Sequence, residues 1–523
     1  MGSKMKSHGA RIVAVAIATF LMAGGASAGA ADGQPFHREL ARVSAASPFL
    51  ADCNGPEFPI TAAYVNAESE PYVAVNPRHP ENLVAVYHED RFPNDGANGV
   101  LAATSFDGGH SWQVPALSAQ PKFSRCAGGD RTNGGDFEKA SDPWVAFGAD
   151  GTAYFAAVSW NASNAEEAQL VATSADGGRT WGVPVTVIRK PDRDRNLSDA
   201  SRPVVSTDPH RAHTAYLVWA RQRSAPATAV RGSVMFSRTT DSGRSWSAPQ
   251  AIYATPVGMQ TSANQIVVLP DGELLNVFNE LAAGGGAVHP RHDRVALMRS
   301  TDGGSTWSRP WTLATSEIVA VADPRLGTKV RTGDSFTGIA VDPRPGSHRL
   351  YAVWSDARFT QGRTQQVVLA SSSDGGRTWS KPMAVAPAAG TQQFVPNVAV
   401  NDRGEVAVGW YAFATDRSSA PGLLTHYWLS WSADQGRTWA RPASMTAEAF
   451  DFRTIPYNDG FFVGEYQGLA AAGRNFVALV TLANGHDLDN RTDIYACVLT
   501  PGTPGVAGTA CAAPGARADR NQK

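Results

Sequence analysis

Short segments in which apolar and polar residues alternate recur along the chain and predict β-strands. One unit shows the pattern well, with segments at residues 337–342 (TGIAVD), 350–356 (LYAVWSD), 366–371 (QVVLAS) and 381–386 (KPMAVA). Successive side chains of a strand point to opposite faces, so each segment can bury one face in a core. Four short strands in a row are typical of one blade of a β-propeller.

The first strand of this unit recurs, which indicates an internal repeat. Its copies lie at residues 72–75, 143–147, 203–206, 265–269, 337–341 and 397–400, and a further set of strands occupies 467–471, 476–482 and 493–499. That last set lacks a fourth strand, which we expect residues 34–63 to supply, so that no free sheet edge remains. The predicted fold class is all-β, a β-propeller of four-stranded antiparallel blades, with seven blades favoured and six as the alternative.

Six of the units end in one turn motif, Ser/Thr-x-Asp-x-Gly-x-Ser/Thr-Trp. Its aspartates are Asp107, Asp176, Asp241, Asp302, Asp374 and Asp434. Glycine provides the positive φ angles of a tight hairpin, the Asp carboxylate accepts hydrogen bonds from backbone N–H groups, and the Trp packs beneath the turn. Six aspartates in one setting favour a structural role over a catalytic one.

The ends of the chain differ in composition from the repeats. Residues 1–28 combine basic residues, an apolar run at 12–22 and the small-residue site Ala26-Ser27-Ala28, which predicts a secretory signal peptide. Residues 29–69 are predicted to be an N-terminal segment that closes the propeller, 70–499 the propeller itself and 500–523 a flexible tail. We therefore expect a secreted protein, extracellular or periplasmic, with no membrane association.

Charge and cysteine content narrow the classes of partner. The chain has 46 basic and 47 acidic residues, a balance that provides no basic field for nucleic acid. An exported chain with four cysteines predicts two disulfides. Three pairings are possible, and Cys53–Cys126 and Cys497–Cys511 are favoured because each joins the nearest cysteines in sequence. No pair has zinc-site spacing, so we predict neither metal nor cofactor, and we expect a monomer.

The turn motifs are similar to the Asp-boxes, or BNR repeats, of the sialidase-like propeller superfamily, from about residue 70 to residue 499. The resemblance implies a secreted sialidase-like glycoside hydrolase acting on terminal acidic sugars of glycans. In that family three arginines bind the sugar carboxylate, a Tyr paired with a Glu is the nucleophile, and an Asp is the acid/base. Residues 83–112 resemble the first blade of the family, which implies Arg91 as a substrate-binding residue and Asp95 as the acid/base.

The resemblance is incomplete in the fourth unit. Ala263 stands where the family has the Glu partner of its nucleophile, and Asn279 stands near an expected Arg. The adjacent Glu280 is our candidate to compensate. At the expected nucleophile position the chain has Val395-Pro396.

Further candidates follow from position in the predicted propeller. Ligands bind near its axis, where the opening strands begin and the loops meet. Polar residues at the strand starts are Glu70, Asp142, Arg202, Glu465 and Tyr466, and the loops after the second strands carry Arg91, Arg221, Glu280, Asp356 and Arg358. Among these we expect Tyr466 to be catalytic and Arg202, Arg221, Asp356, Arg358 and Glu465 to bind substrate. A buried ion pair between adjacent blades is the alternative role for each charged residue.

Two other functions remain open at this point. One is another carbohydrate-active propeller, either a glycosidase or a uronate-directed lyase that uses a Tyr or His base. The other is a non-catalytic propeller that binds a glycan or a protein. The expected partner of an enzyme of this kind is a glycan or polysaccharide, anionic in character, and the sequence leaves open whether the chain is an enzyme.

Overall fold

Almost every element of the chain is a β-strand. The computed structural model describes residues 40–50, 52–54, 63–190, 197–199, 201–223, 230–282, 291–333, 336–416, 422–446, 448–485, 487–502 and 509–511. The predicted signal peptide and most of the predicted tail lie outside these ranges. Within them the helical turns are two 3₁₀ segments, Leu117–Ala119 and Arg358–Thr360, and no helix is long and apolar enough to span a membrane. The predicted all-β class is confirmed.

The strands are short and follow one another closely along the chain. In chain order they are β1 Ala41–Arg42, β2 Ser69–Asn76, β3 His79–Arg91, β4 Ala97–Ser105, β5 Lys139–Phe147, β6 Ala153–Trp160, β7 Glu167–Ser174, β8 Val185–Lys190, β9 Leu197–Ser198, β10 Val204–Thr207, β11 Ala215–Arg223, β12 Arg231–Thr239, β13 Gln250–Ala254, β14 Met259–Val268, β15 Leu274–Ala282, β16 Arg291–Ser300, β17 Trp311–Ile318, β18 Gly338–Val341, β19 Leu350–Asp356, β20 Gln366–Ser372, β21 Met383–Ala384, β22 Thr391–Val400, β23 Val406–Ala414, β24 Leu424–Ser432, β25 Ala443–Ser444, β26 Phe450–Asp451, β27 Gly468–Ala472, β28 Asn475–Ala483, β29 Thr492–Thr500 and β30 Thr509–Ala510.

Hydrogen bonding arranges the described strands in five sheets, in which neighbouring strands pair antiparallel except for one parallel residue pair between β12 and β14. Each of the two largest sheets contains two sets of successive strands, and a single residue pair joins the two sets. This pair is Ala97 with Ala140 in one sheet and Arg231 with Met259 in the other. We call the first strand of each set its opening strand. The first strands of successive sets contact each other in cyclic order. The order is β2 to β5, β5 to β10, β10 to β14, β14 to β18, β18 to β22, β22 to β27 and β27 back to β2.

The N-terminal strand lies beside the last sheet. In β1, Ala41 pairs with Ala496 and Arg42 with Tyr495, both in β29. Disulfides Cys53–Cys126 and Cys497–Cys511 are both present, as the cysteine spacing predicts. The N-terminal segment is therefore tied to the sheets by backbone pairing and by a covalent bond.

Apolar side chains fill the space between neighbouring strand sets. Leu83 and Leu101 of one set pack with Val477, Leu479 and Ile494 of the last one. All five are buried, and each such side chain stabilises the fold by about 1.5–3 kcal/mol relative to an exposed position. Strands such as β4 and β19 are buried along their whole length, so packing on both faces fixes them in place.

The six turns share one hydrogen-bond pattern. In the first, the Ser105 hydroxyl donates to Asp107 Oδ1 (2.8 Å), and Ser111 N–H donates to the same oxygen (2.9 Å). The equivalent bonds recur in the other five turns. Hydrogen bonds from the Ser245 hydroxyl and backbone N–H hold the pKa of Asp241 at about 2, against the opposing effect of burial. These carboxylates serve as acceptors inside their own turns.

Truncating a turn tryptophan tests the packing role of the motif. Trp181 is 9% exposed, and its ring lies 5.5 Å from that of Phe155. We expect Trp181→Ala to lower the free energy of unfolding by about 3–5 kcal/mol, because a large buried ring is removed. Urea unfolding is the measurement. The nearby Val183, which is 65% exposed, provides the control, and Val183→Ala should change the free energy by less than about 0.5 kcal/mol. Equal stability of the two variants would contradict the packing role.

Candidate functional site

Four of the opening strands carry a bulge near their first residues. The pairing register shifts in β2, β5, β14 and β22, and within each shift one residue has a left-handed backbone, with φ of 53° at Glu70, 54° at Asp142, 54° at Ala263 and 52° at Val395. Non-glycine residues in this region cost about 1–3 kcal/mol, and such strain collects at functional sites. Pro follows three of the four residues, and it has no N–H to contribute to a strand ladder. Two of the bulges bear a carboxyl group, on Glu70 and on Asp142.

Of these two residues, Glu70 is buried and Asp142 is half-buried. Glu70 is 2% exposed, its Oε1 accepts a hydrogen bond from Glu465 N–H (3.2 Å), and its Oε2 has no hydrogen-bond partner. Burial, with the charges of Asp142 and Glu465 adding to it, raises the pKa of Glu70 to about 8. Burial and Glu465 raise the pKa of Asp142 to about 6. At neutral pH Glu70 therefore holds a proton, whereas Asp142 is mostly ionised.

Two arginines lie against one aromatic ring beside this pair. The guanidinium carbons of Arg91 and Arg331 are 4.7 and 4.9 Å from the centroid of the Phe462 ring. Arg91 is 1% exposed, and its Nε and Nη1 have no hydrogen-bond partner. Arg331 Nε donates to Glu465 Oε1 at 2.9 Å. The Arg91 charge acts on both Glu70 and Asp142, so the arginines and the carboxyls form one electrostatic unit.

Asp95 lies at the exposed edge of this unit, on the turn between β3 and β4. Its side chain is 58% exposed, and its Oδ1 accepts hydrogen bonds from Arg331 Nη1 (2.6 Å) and Asn458 Nδ2 (2.8 Å). Burial raises the pKa of Asp95, but the charge and hydrogen bonds of Arg331 and Asn458 outweigh it and bring the pKa to about 2. Lys139 Nζ holds the turn by donating to Asn94 Oδ1 (2.7 Å) and to the Asp95 carbonyl (3.0 Å). Asp95 is thus ionised and fixed in place.

Arg202 approaches from another side, within a group of aromatic rings. Its guanidinium carbon lies 4.9, 4.4 and 4.9 Å from the ring centroids of Trp144, Phe336 and Tyr466. The hydroxyl of Tyr466 donates to the backbone carbonyl of Pro143 (3.0 Å). Burial, followed by the charges of Glu70 and Asp142, raises the pKa of Tyr466 well above that of a free tyrosine. Arg202 and Tyr466 therefore belong to the same group of charges as Glu70 and Asp142.

We call this group, consisting of Glu70, Arg91, Asp95, Asp142, Arg202, Arg331, Glu465 and Tyr466, the axial cluster. The sequence assigns a site role to five of its members, namely Arg91, Asp95, Arg202, Glu465 and Tyr466, and it indicates Glu70 and Asp142 as polar residues at strand starts. Arg331 is the one member that the sequence does not indicate. It precedes β18 in an irregular segment without strand periodicity, and Val330 pairs with Phe461, far away in sequence. Only tertiary contact brings that segment to the cluster.

The other four predicted residues bind partners elsewhere. Arg221 forms a two-bond ion pair with Asp199 (2.8 Å for each bond), and Arg358 forms one with Asp356. Glu280 accepts hydrogen bonds from the Tyr253 hydroxyl and pairs with Arg294 (3.0 Å). Each of these ion pairs is local to one sheet or one loop, so none of them is the tie between adjacent blades that we give as the alternative role.

Residues suited to a metal site are not grouped in the described part of the chain, which contains no cluster of three His, Cys, Asp or Glu placed to hold an ion. Two carboxyls of different pKa in the axial cluster can exchange protons with a substrate, and arginine N–H groups can bind an anion or a hydroxyl group.

Comparison with known proteins gives two sequence matches. Residues 145–336 match the family model of the BNR repeat-like domain. A sialidase from Bacteroides fragilis (strain YCH46) is 31% identical over 129 residues, which are 23% of this chain and 23% of that protein. The matched part thus spans less than a quarter of this curated relative. With the six turn motifs, these matches make the chain similar to the sialidase-like superfamily of BNR-repeat proteins.

Two solved structures illustrate the fold likeness. The Hadza microbial sialidase Hz136 is 16% identical with a TM-score of 0.42, and the match covers 69% of this chain and 66% of that one. The Penicillium chrysogenum alpha-L-arabinanase, solved with arabinobiose, is 12% identical with a TM-score of 0.43, and the match covers 87% and 97%. At these identities the likeness says nothing about the substrate of this chain.

The raised pKa of Glu70 predicts a pH-dependent stability. An unfolded Glu titrates near 4.3, so the unfolded chain loses this proton first as pH rises, and the folded state loses stability between that pH and about 8. Glu70→Gln removes the titration. We expect the variant to gain free energy of unfolding relative to wild type between pH 5 and pH 8, as measured by urea unfolding at both values.

Glu81 provides the matched control, because its side chain is 57% exposed. Glu81→Gln should follow the wild type at both pH values. If Glu70→Gln behaves in the same way as this control, the carboxyl of Glu70 is ionised in the fold and the assignment of its proton is wrong.

Proposed function

We propose that this protein is a sialidase-like glycoside hydrolase that removes terminal acidic sugars from glycans. The observation that carries the proposal is the convergence of Arg91, Arg202 and Arg331 on one group of carboxyls. Arg91 has two buried donor atoms without partners, and the Arg202 guanidinium is packed among aromatic rings. A sugar carboxylate would satisfy such donors, since guanidinium groups match carboxylate oxygens in a two-bond geometry.

Glu70 is our candidate for the general acid. A catalytic acid works best with a pKa near the operating pH, and a value of about 8 keeps a proton available at neutrality. Glu70 would give this proton to the glycosidic oxygen as the bond to the leaving group breaks. Asp95 has a pKa of about 2 and holds no proton at that pH, so we assign it to the orientation of Arg331.

Tyr466 is our candidate for the nucleophile. A phenol with a raised pKa must lose its proton as it attacks, and a carboxylate is needed to accept it. Asp142, with a pKa of about 6, is ionised at neutral pH and acts electrostatically on Tyr466. In this scheme the phenol oxygen attacks the anomeric carbon, its proton passes to Asp142, and water later releases the sugar.

A second candidate function is hydrolysis of a neutral glycoside. Two of the arginines are already paired, because Arg331 binds Asp95 and Glu465, and Arg91 lies 3.5 Å from Asp95. The remaining feature is a pair of carboxyl groups, one with a high pKa and one with a moderate pKa. Most glycosidases use such a pair of catalytic carboxyl groups. In that case Asp142 would be the carboxylate partner and Tyr466 would remain a structural residue.

We also propose that the strand sets form a seven-bladed propeller around the axial cluster. The cyclic contacts of the seven opening strands, from β2 through β27 and back to β2, support this count. The pairing of β1 with β29 supports closure by the N-terminal segment. Secretion is part of the proposal, and the two disulfides support it because they persist in oxidising compartments.

Turnover of a panel of fluorogenic aryl glycosides tests the function. We expect wild-type protein to hydrolyse the sialoside, and Arg331→Met to lower its kcat/KM by about 10²–10³, the typical loss for one preorganised charge-stabilising donor. Arg78→Met is the matched control. Arg78 is exposed and its Nη1 donates to the Asp150 carbonyl (3.2 Å), outside the axial cluster, so kcat/KM should not change.

The panel also includes an arabinofuranoside and a glucuronide. Turnover of the arabinofuranoside alone, with little effect of Arg331→Met, would replace the first proposal by the second. Release of an unsaturated product from a uronate polymer would indicate a lyase. If no glycoside is cleaved and only binding is found, the enzymatic proposal is wrong.

A further inference from the structure

His88 lies between the two strand bulges of the axial cluster. It is in β3, fully buried, and its ring touches both neighbouring opening strands. Its Nδ1 is 3.0 Å from the hydroxyl oxygen of Ser69, and its Nε2 is 2.9 Å from the hydroxyl oxygen of Ser141. Ser69 immediately precedes Glu70, and Ser141 immediately precedes Asp142. One imidazole therefore connects the two segments that carry the carboxyl groups.

The contact with Asp142 fixes the tautomer of this ring. The backbone N–H of Asp142 is 3.0 Å from His88 Nε2, and a backbone N–H can only donate. Nε2 is therefore the acceptor, so the neutral ring carries its proton on Nδ1 and donates it to the Ser69 hydroxyl. A proton on Nε2 would oppose the Asp142 N–H and leave that group buried without an acceptor.

The surroundings of His88 favour this neutral ring. Burial, with the charges of Arg91 and Arg331, lowers its pKa well below that of a free histidine. The carboxyl oxygen Oε2 of Glu70 lies 3.5 Å from Nε2 and has no hydrogen-bond partner. The charged and titratable groups that act on this ring or are held by it are thus Glu70, Asp142, Arg91 and Arg331.

We propose that His88 is a positioning residue, whose neutral Nδ1–H ring holds Glu70 and Asp142 at a fixed separation. The inference rests on the proposed function, since these are the two carboxyls that the reaction uses. Both backbone bulges are strained, and the ring bonds Ser69 at one and Ser141 with the Asp142 N–H at the other. Without the ring, each bulge can relax on its own, and the distance between the two carboxyl groups is no longer fixed.

Two variants distinguish a positioning role of the His88 ring nitrogens from a role of its side-chain volume. The side-chain oxygen of His88→Gln can reach the place of Nε2 and accept from Asp142 N–H, whereas His88→Asn reaches only the place of Nδ1. We expect His88→Asn to lower kcat by about 10–100-fold, the range that a small misplacement of catalytic groups produces. Its KM should stay close to that of wild type, and the alkaline limb of the pH–rate profile should move. His88→Gln should restore most of kcat and the wild-type profile.

Nuclear magnetic resonance gives a readout that does not depend on turnover. The ¹⁵N shifts of His88 in the wild-type protein should report the Nδ1–H tautomer from pH 5 to pH 8. Titration of the ¹³C-labelled Glu70 carboxyl should give a different midpoint in His88→Asn and the wild-type midpoint in His88→Gln. The exposed His79, which has 66% of its side chain accessible, supplies the control in His79→Asn.

The outcomes distinguish the two levels of the proposal. If the wild type cleaves no glycoside, the proposed function fails, and the Glu70 titration alone decides the role of His88. An Nε2–H tautomer, or equal effects of the Gln and Asn variants on both titration and rate, would overturn the positioning role. If neither variant folds, the tautomer of the wild-type ring remains the deciding measurement.

Discussion

The site depends on the cost of burying charge where the opening strands begin. Arg91 is almost fully buried, as are Glu70 and His88, and an unpaired charge in such a place costs several kilocalories per mole. The protein meets this cost in two ways. Glu70 and His88 become neutral, the first by keeping its proton and the second by losing it. Arg331 stays charged and is paired by hydrogen bonds with Asp95 and Glu465 at the accessible edge. Burial thus sets the protonation of Glu70 and His88, on which the roles proposed for the cluster depend.

The turns at the other ends of the strands hold this arrangement in place. Each turn packs against the preceding strand set, as in the second one, where the Gly177 carbonyl accepts hydrogen bonds from Asn82 Nδ2 (3.0 Å) and the Thr104 hydroxyl (2.7 Å). A Cβ at the neighbouring Gly178 would lie 2.5 Å from Val84, so glycine is needed there for close approach as well as for its φ of 91°. The motif therefore joins successive sheets, and its aspartates are consumed in shaping the turn. The aspartates that recur in every turn motif are therefore not members of the axial cluster.

Local patterns predict most of the fold and most members of the cluster. Alternation indicates the opening strands, the turn motif indicates the hairpins, and the order of the cysteines along the chain indicates both disulfides. Arg202 and Tyr466 are identifiable because they sit at strand starts. Arg331 and Phe462 are different, since irregular segments carry them and a pairing between distant parts of the chain brings them in. No sequence motif marks His88, and its role can be inferred only from its contacts with Ser69 and Ser141, the two serines that precede the bulges. The pKa order of Glu70, Asp142 and Asp95 likewise depends on burial and on the charges and hydrogen bonds of residues distant in sequence, such as Arg331 beside Asp95, and sequence spacing indicates neither.

Of the two candidate substrates, only an acidic sugar would change the protonation of Asp95. Its low pKa depends mainly on Arg331, with help from Asn458 and Arg91. A sugar carboxylate that binds Arg331 and Arg91 would compete with Asp95 for the same N–H donors and would add a second negative charge nearby. Both effects raise the pKa of Asp95 towards that of an ordinary aspartic acid, so an anionic substrate would loosen the carboxylate at the mouth of the site as it binds. A neutral sugar has no charge with which to displace Asp95, and the ion pair with Arg331 would stay closed. Asp95 is therefore a reporter of substrate charge: only an acidic sugar turns this exposed, ionised side chain into one that can take part in proton transfer.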